Sequence, residues 1–394
     1  MSKIHELIAE LCPEGVPVLA FGDLVINRDN ERSPVTRDLR LSGAYPYYGA
    51  NGIQDHVEEF IFDGTFLLIG EDGSVIEADG APVLNWAEGK IWVNNHAHVL
   101  QEKPDGPNLR YLYFYLSTIN VSGFVTGGSQ KKINQGNLNK IPIPLPPIEV
   151  QREIVSILDK FIQLGAELEA ELEARKSQFT YFVDRIFDLD GSHNAPSEPL
   201  KSACRITRAS GLEKSQLQGE GLPVVQYGEI HMHYDTVATS SRSFADPLIA
   251  GKLQRANPGD VILVTTSEDV KDVGNPLVWL GSTPIGVGGE SLIMEHDLDP
   301  VYLGMFFKSN SFYSQKLPYV NGSKVKRIST SNLQKILIPV PERGVQKMLG
   351  ENLLALENLV KSASVGLPAE IAARRKQYEH CRNKLLTFKE LETA

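Results

Sequence analysis

The sequence predicts an α+β protein: two similar mixed domains related by an internal repeat, and two long helices that pair as a coiled coil. Three observations carry this. A motif recurs at a fixed offset of 195 residues. Each copy holds a proline ladder. Each ladder is followed by an apolar seam at helical spacing, too long for one small domain to bury.

The repeat is read from two stretches. Residues 127–161 are "GGSQKKINQGNLNKIPIPLPPIEVQREIVSILDKF", and residues 321–349 are "NGSKVKRISTSNLQKILIPVPERGVQKML". Asn137-Leu138-x-Lys140-Ile141-x-Ile143-Pro144-x-Pro146 is answered by Asn332-Leu333-x-Lys335-Ile336-x-Ile338-Pro339-x-Pro341. Upstream, "FDGTFLLIG" resembles "NPGDVILVT", and Val93 answers Val287, so a whole domain is doubled.

In chain order, "TFLLIG" (65–70), "KIWVNNHAHVL" (90–100) and "VILVTT" (261–266) have strand chemistry. "LRYLYFYLSTI" (109–119) and "VYLGMFFKSNSF" (301–312) place apolar residues on one helical face. Each proline ladder is expected to be extended, because proline fixes its own φ and biases its predecessor away from helix. Ile154, Leu158, Phe161, Gly165, Leu168, Leu172, Arg175, Phe179, Phe182 and Ile186 then follow at 4-3 spacing, a seam of nearly five heptads. Such a helix is about 55 Å long at 1.5 Å per residue and calls for a second long helix. Leu349, Leu353, Leu356 and Val360 begin one, and Ile371, Tyr378 and Leu385 continue it. Gln346 to Gln377 spans four residues more than Gln151 to Gln178, with Gly366 and Pro368 nearby. That insertion predicts a stutter or a break, with Pro368 in the first turn of a restarted helix.

Bulk properties narrow the function. A 394-residue chain with 42% hydrophobic and 22% charged residues is ordinary for a soluble protein of about two domains with an added element. No run of 18 apolar residues suggests a membrane span, and the opening residues lack a secretory pattern. Cys12, Cys204 and Cys381 show no metal-ligand spacing, so a cytoplasmic location is expected. The net charge of −10 alone argues against nucleic acid, but charge is unevenly placed. Residues 124–140 carry Lys131, Lys132 and Lys140 and no acid; residues 322–335 carry Lys324, Lys326, Arg327 and Lys335 and no acid. Segment 149–190 holds ten acids against five bases.

The doubled loop, ladder and "P-x-x-x-[VE]-Q", with the helix endings "ARKSQF" and "ARRKQY", resemble the DNA-specificity subunit of type I restriction–modification enzymes. "YPYYGANGI", "FLLIGEDGS" and "WVNNHAH" look like segments of that family's target-recognition domains, and "GLPAEIAARRKQYEHCRNKLLTF" like its terminal helix. The resemblance covers nearly the whole chain. It implies target-recognition domains at 1–148 and 191–343, separated by two long antiparallel spacer helices at 149–190 and 344–394. It implies that each domain reads one half of a bipartite, asymmetric site on double-stranded DNA. It also implies two modification subunits, which carry S-adenosylmethionine and the methylation chemistry, joined by restriction subunits. This chain itself shows no S-adenosylmethionine or P-loop pattern, so no cofactor and no catalysis are expected of it. "NGSKVKR" lacks the second glycine of "GGSQKK", and "PERGVQ" replaces "PPIEVQ".

Candidate DNA contacts follow. Lys131, Lys132, Lys324, Lys326 and Arg327 suit phosphates, which position without specifying; otherwise they are solvated loop charges. Gln130, Asn134 and Gln135 could pair with base edges, since amides bond bidentately to adenine. Asn137 and Asn332 are better read as turn caps. Tyr47 and Tyr48 form either a DNA edge or half-buried strand positions, and Gln226 and Tyr227 sit at the matching point of the second half. His231 and His233 are expected to alternate outward on a strand. Asn94, Asn95 and His96 of "WVNNHAH" complete the set. His96 and His98 on one strand face invite a metal reading, and Asp72, Glu88 and Lys90 could build a metal-dependent nuclease. Ser282-Thr283-Pro284 replace Glu88-Gly89-Lys90 in the second half and weigh against it. A structural coiled-coil scaffold without DNA is the third reading.

Overall fold

The computed structural model describes residues 3–128, 130–189, 195–209 and 211–391. It is a mixed helix and sheet protein with two long helices, Ile148–Ile186 and Arg343–Leu385. It divides into two compact units, 1–168 with 369–394, and 169–368. The units therefore cut through both long helices, where the sequence-based division draws them as segments of their own.

Unit 1 is built on a six-stranded sheet, in the order 25–27, 97–102, 62–70, 84–93, 42–49, 52–57. Strand Phe62–Gly70 shows why its sequence runs apolar without alternation. Leu67 and Ile69 enter a core with helix Leu109–Leu116 and Ile154 and Leu158 of the first long helix. Phe66 and Leu68 enter a second core with Ala87, Ile91 and Val99. A strand covered on both faces needs apolar side chains on both. Tyr378, Leu385 and Leu386 of the second long helix close the first core, with Phe161 and Tyr378 ring centroids 6.5 Å apart.

Unit 2 holds a five-stranded sheet, ordered 204–208, 291–296, 261–264, 276–279, 237–238, and a four-stranded one, ordered 243–245, 222–226, 285–288, 254–256. Its main core takes Val183 from the first long helix, Phe187 from just past its end, and Leu349 and Leu353 from the second. Phe187 is fully buried between Tyr302 and Phe306, with centroids 4.9 and 5.6 Å away.

The repeat extends to individual hydrogen bonds. Both ladders are extended, 142–144 pairing antiparallel with 18–20 and 337–339 with 197–199. Tyr111 Oη donates to Pro144 O and Tyr302 Oη to Pro339 O, at 2.7 and 3.0 Å. Gln151 accepts from Asn108 N and donates to Pro146 O; Gln346 does the same with Asp299 N and Pro341 O. These glutamines bind the start of each long helix to its ladder and to the cap of a neighbouring helix. Tyr48 pairs in parallel with Val93 as Val225 does with Val287.

Four expectations are corrected. Residues 90–100 are not one strand but the ends of two, Leu84–Val93 and Ala97–Glu102. Residues 301–312 are two helices, Pro300–Phe306 and Asn310–Lys316, because the Ser309 hydroxyl caps the second by accepting from Phe312 N. The second long helix is continuous through Pro368. Proline removes the bond to the carbonyl four residues earlier, and the helix runs on past that lost bond. Finally, the first seam does not stay in register. Ile154 and Leu158 are buried, but Phe182 is 41% exposed and Val183 is buried instead. A straight helix drifts about 20° per heptad, so four heptads from Ile154 give roughly 80°, most of the 100° between neighbouring residues.

Candidate nucleic-acid interface

Each unit carries a basic hairpin just before its ladder. In unit 1, Thr126 and Lys132 exchange two backbone hydrogen bonds of 2.8 Å and close the loop 127–131. In unit 2, Asn321 and Arg327 do the same at 2.9 and 2.8 Å around 322–326. Each turn opens on a glycine with positive φ, +88° at Gly127 and +116° at Gly322. A Cβ there would lie 2.2 Å from Gln130 O or 2.0 Å from Val325 O, so only glycine fits.

Both hairpins dock on matching backbone. Ile133 N donates to Glu71 O and Glu71 N to His96 O; Ile328 N donates to Thr265 O and Thr265 N to Glu290 O. The turn 94–96, residues 71–73 and the hairpin therefore gather at one end of unit 1. Lys131, Gln130, Gln135, Asn95 and His96 are exposed there. In unit 2, strand 326–327 pairs with 266–267, and Lys324 and Arg327 are exposed. Among the described residues Arg327 has no carboxylate partner.

A partly buried network stands behind the first hairpin. The two oxygens of the Glu71 carboxylate are divided between Arg32, at 2.6 Å, and Lys132, at 3.0 Å. Arg32 also donates to Ala97 O at 2.7 Å. His98 donates its Nε2–H to Ile133 O at 2.8 Å, and its Nδ1 lies 2.6 Å from Asp29, which also accepts from Val99 N and Asn27. Burial pushes the Asp29 and Glu71 carboxyls up. Hydrogen bonds and charges outweigh that push, from His98 at Asp29 and from Arg32 and Lys132 at Glu71, and hold both below the usual carboxylate range. Asp29, Glu71 and His98 lie close enough together to suggest a metal site. Arg32 and Lys132 already neutralise the carboxylates and the backbone holds the ring, so the cluster is a closed ion-pair network.

Several sequence candidates are buried or already engaged within the protein. Tyr47 is buried, its hydroxyl bonded to Val35 backbone and its ring under Arg40; Tyr48 is 8% exposed. Asn94 is buried, donating to Gln54 and accepting from His96 N. "QYGEIHMHY" is not a strand: residues 227–232 form a helix whose capping box is Gln226 with Glu229. Gln226 also donates to Leu212 O, so its amide is committed, and Tyr227 is half-buried in a core. Asn134 caps the short helix 135–138 by accepting from Asn137 N, and Asn137 donates to Phe124 O. Lys326 is tied to Gly322 O. The nuclease constellation does not assemble. His96 is exposed in a turn against Asp72, while His98 is buried. Glu88 and Lys90 pair with Thr65 and Asp63, at the other end of the strand that leads to Asp72. Glu88 accepts from Trp86, and Lys90 lies 4.6 Å over the Phe60 ring.

Sequence reasoning missed Asp29, Arg32, Glu71 and His98 as a group. Glu71 and His98 stood in quoted motifs, but nothing in the sequence brings Arg32 to them.

The chain is similar to proteins of one kind. The family model described as the type I restriction modification DNA specificity domain matches residues 13–175. A Haemophilus influenzae protein named as a type I restriction enzyme specificity subunit is 31% identical over 372 residues, covering 91% of this chain and 92% of that one. The EcoR124I/EcoR124II specificity subunit of Escherichia coli is 27% identical over 84% of this chain and 86% of its own length. The crystal structure of an S subunit from M. genitalium matches with a TM-score of 0.54 at 13% identity, covering 94% of this chain and 96% of that one.

Proposed function

This chain belongs to the family of type I restriction–modification specificity subunits, which are non-catalytic, and from that premise we propose that its two units each read one half of a bipartite, asymmetric site on double-stranded DNA. The observation that carries this reading is the doubled hairpin: two basic loops, closed by the same pair of backbone bonds around a positive-φ glycine. Exposed Lys131, Lys324 and Arg327 would hold phosphates, and Gln130, Gln135, Asn95 and His96 would lie against base edges. Two modification subunits, which would carry S-adenosylmethionine, dock on the long helices, the first of which exposes Glu167, Glu171, Arg175, Lys176 and Arg185. Restriction subunits join that assembly.

Methylation mapping in cells carrying this chain with its modification subunit tests the reading. The expected result is two short half-sites around an unread spacer. Replacing residues 195–341 with the matching segment of a relative should change one half-site only. A single contiguous motif, or a change in both halves, would overturn it.

A further inference from the structure

The unit-1 hairpin has an acid where the unit-2 hairpin has none. Glu71 and Thr265 occupy the same backbone position, each accepting from the isoleucine after its hairpin. Unit 2 thus closes its hairpin without a carboxylate there, so the fold does not require one. Glu71 is nonetheless held firmly. Its N–H and C=O are both bonded, and one carboxylate oxygen is fixed by Arg32 at 2.6 Å. The other oxygen faces Lys132 Nζ at 3.0 Å. Lys132 keeps 45% of its side chain exposed, so it sits at the surface while its charge is engaged. To reach a phosphate it must leave a pre-organised partner, and the exchange of one anion for another yields little.

We infer that Glu71 is a restraining residue that takes Lys132 out of the phosphate-binding set and so sets the sequence-independent affinity of unit 1. It lowers the affinity of unit 1 for every sequence alike. An unpaired lysine strengthens binding to right and wrong DNA alike; a restrained one does not. The low-lying Glu71 carboxyl, ionised at neutral pH, agrees with this. The inference rests on the hairpin being a DNA contact.

The test measures binding of the full chain to a random-sequence duplex across a salt series. Glu71→Gln should raise affinity about fivefold near 0.15 M salt and steepen the salt slope by roughly 0.9, one extra phosphate contact. Adding Lys132→Met to Glu71→Gln should abolish the gain. In the otherwise unchanged chain, Lys132→Met should alter affinity by less than about twofold, while Lys131→Ala flattens the slope by roughly 0.9. The Lys132→Met measurement stands even if Glu71→Gln disturbs folding, because this side chain is half-exposed. If Lys132→Met costs as much as Lys131→Ala, or if Glu71→Gln folds and leaves affinity unchanged, the restraint by Glu71 is refuted. If Lys131→Ala has no effect on the slope, the hairpin does not touch DNA and the underlying reading falls with it.

Discussion

The hairpins at 126–132 and 321–327 share a backbone but differ in what stands behind them. In unit 1 the base of the loop is an acid locked to Arg32 and Lys132, with Asp29 and His98 beneath. In unit 2 it is Thr265, whose hydroxyl donates to Glu290 O, and the strand-end cation is an arginine with no carboxylate partner among the described residues. Backbone bonds depend little on side chains, so the scaffold tolerates substitution wherever glycine and the capping residues are kept. Charge at the tip is free to diverge between the halves.

The same contrast runs through the cores, and the largest effect is expected there. Phe187, just past the first long helix, lies inside the core of unit 2; Leu386, at the matching place just past the second, is buried in unit 1. Phe187→Ala should cost about 3–5 kcal/mol and Leu386→Ala about 2–5. Hydrogen exchange read by mass spectrometry should place each loss in its own unit. Loss of protection spread evenly over both units would mean that they do not behave as separate compact bodies.

A smaller effect is expected where unit 2 buries a lysine and unit 1 a valine. Lys316 is 2% exposed and donates to Lys271 O and Val273 O; Val121 stands at its repeat position. Burial pulls the Lys316 ammonium down to about 8, against the pull of Asp272 and Asp269. The unfolded chain therefore binds more protons than the folded one above that pH, and the contribution of Lys316 to stability rises from about pH 8 toward its ordinary value near 10.5. Lys316→Met leaves two carbonyls without their donor, costing about 1–3 kcal/mol. Its deficit relative to the natural chain should widen between pH 8 and 10 in denaturant melts. A constant deficit would mean that the lysine holds its proton in the fold as firmly as in the unfolded chain, so that burial has not weakened it.

The smallest effect is the sharpest on the comparison itself. Arg327→Ala should flatten the salt dependence of DNA binding by roughly 0.9, a full phosphate contact, where its counterpart Lys132 yields little. Equal slopes for the two substitutions would make the hairpins electrostatically alike despite Glu71. A change in the methylated half-site with an unchanged slope would make Arg327 a base reader instead.

The offset of 195 exposed the doubled domain, and the ladders, strands and long helices followed from proline, β-branched runs and 4-3 spacing. These are local signals, because φ restriction and side-chain period act within a few residues. The seam was legible at its start and slipped at its end, since drift over four heptads accumulates only along the real helix. The lysines, glycines and amides of the hairpins were also legible as a recurring basic loop. Their availability was not. Tyr47 and Tyr48 read either as a DNA edge or as half-buried strand positions and are buried, Asn94 reads as a surface group yet is buried, and Lys132 reads as a free charge yet is held by Glu71. Burial and pairing depend on which distant segments meet: Arg32 lies 39 residues from Glu71, and Asp29 lies 69 from His98. The sequence by itself determined the repeat, the elements and the family. Only the tertiary structure decided which charges remain for a partner, because an ion pair is set by approach in space, which no periodicity encodes.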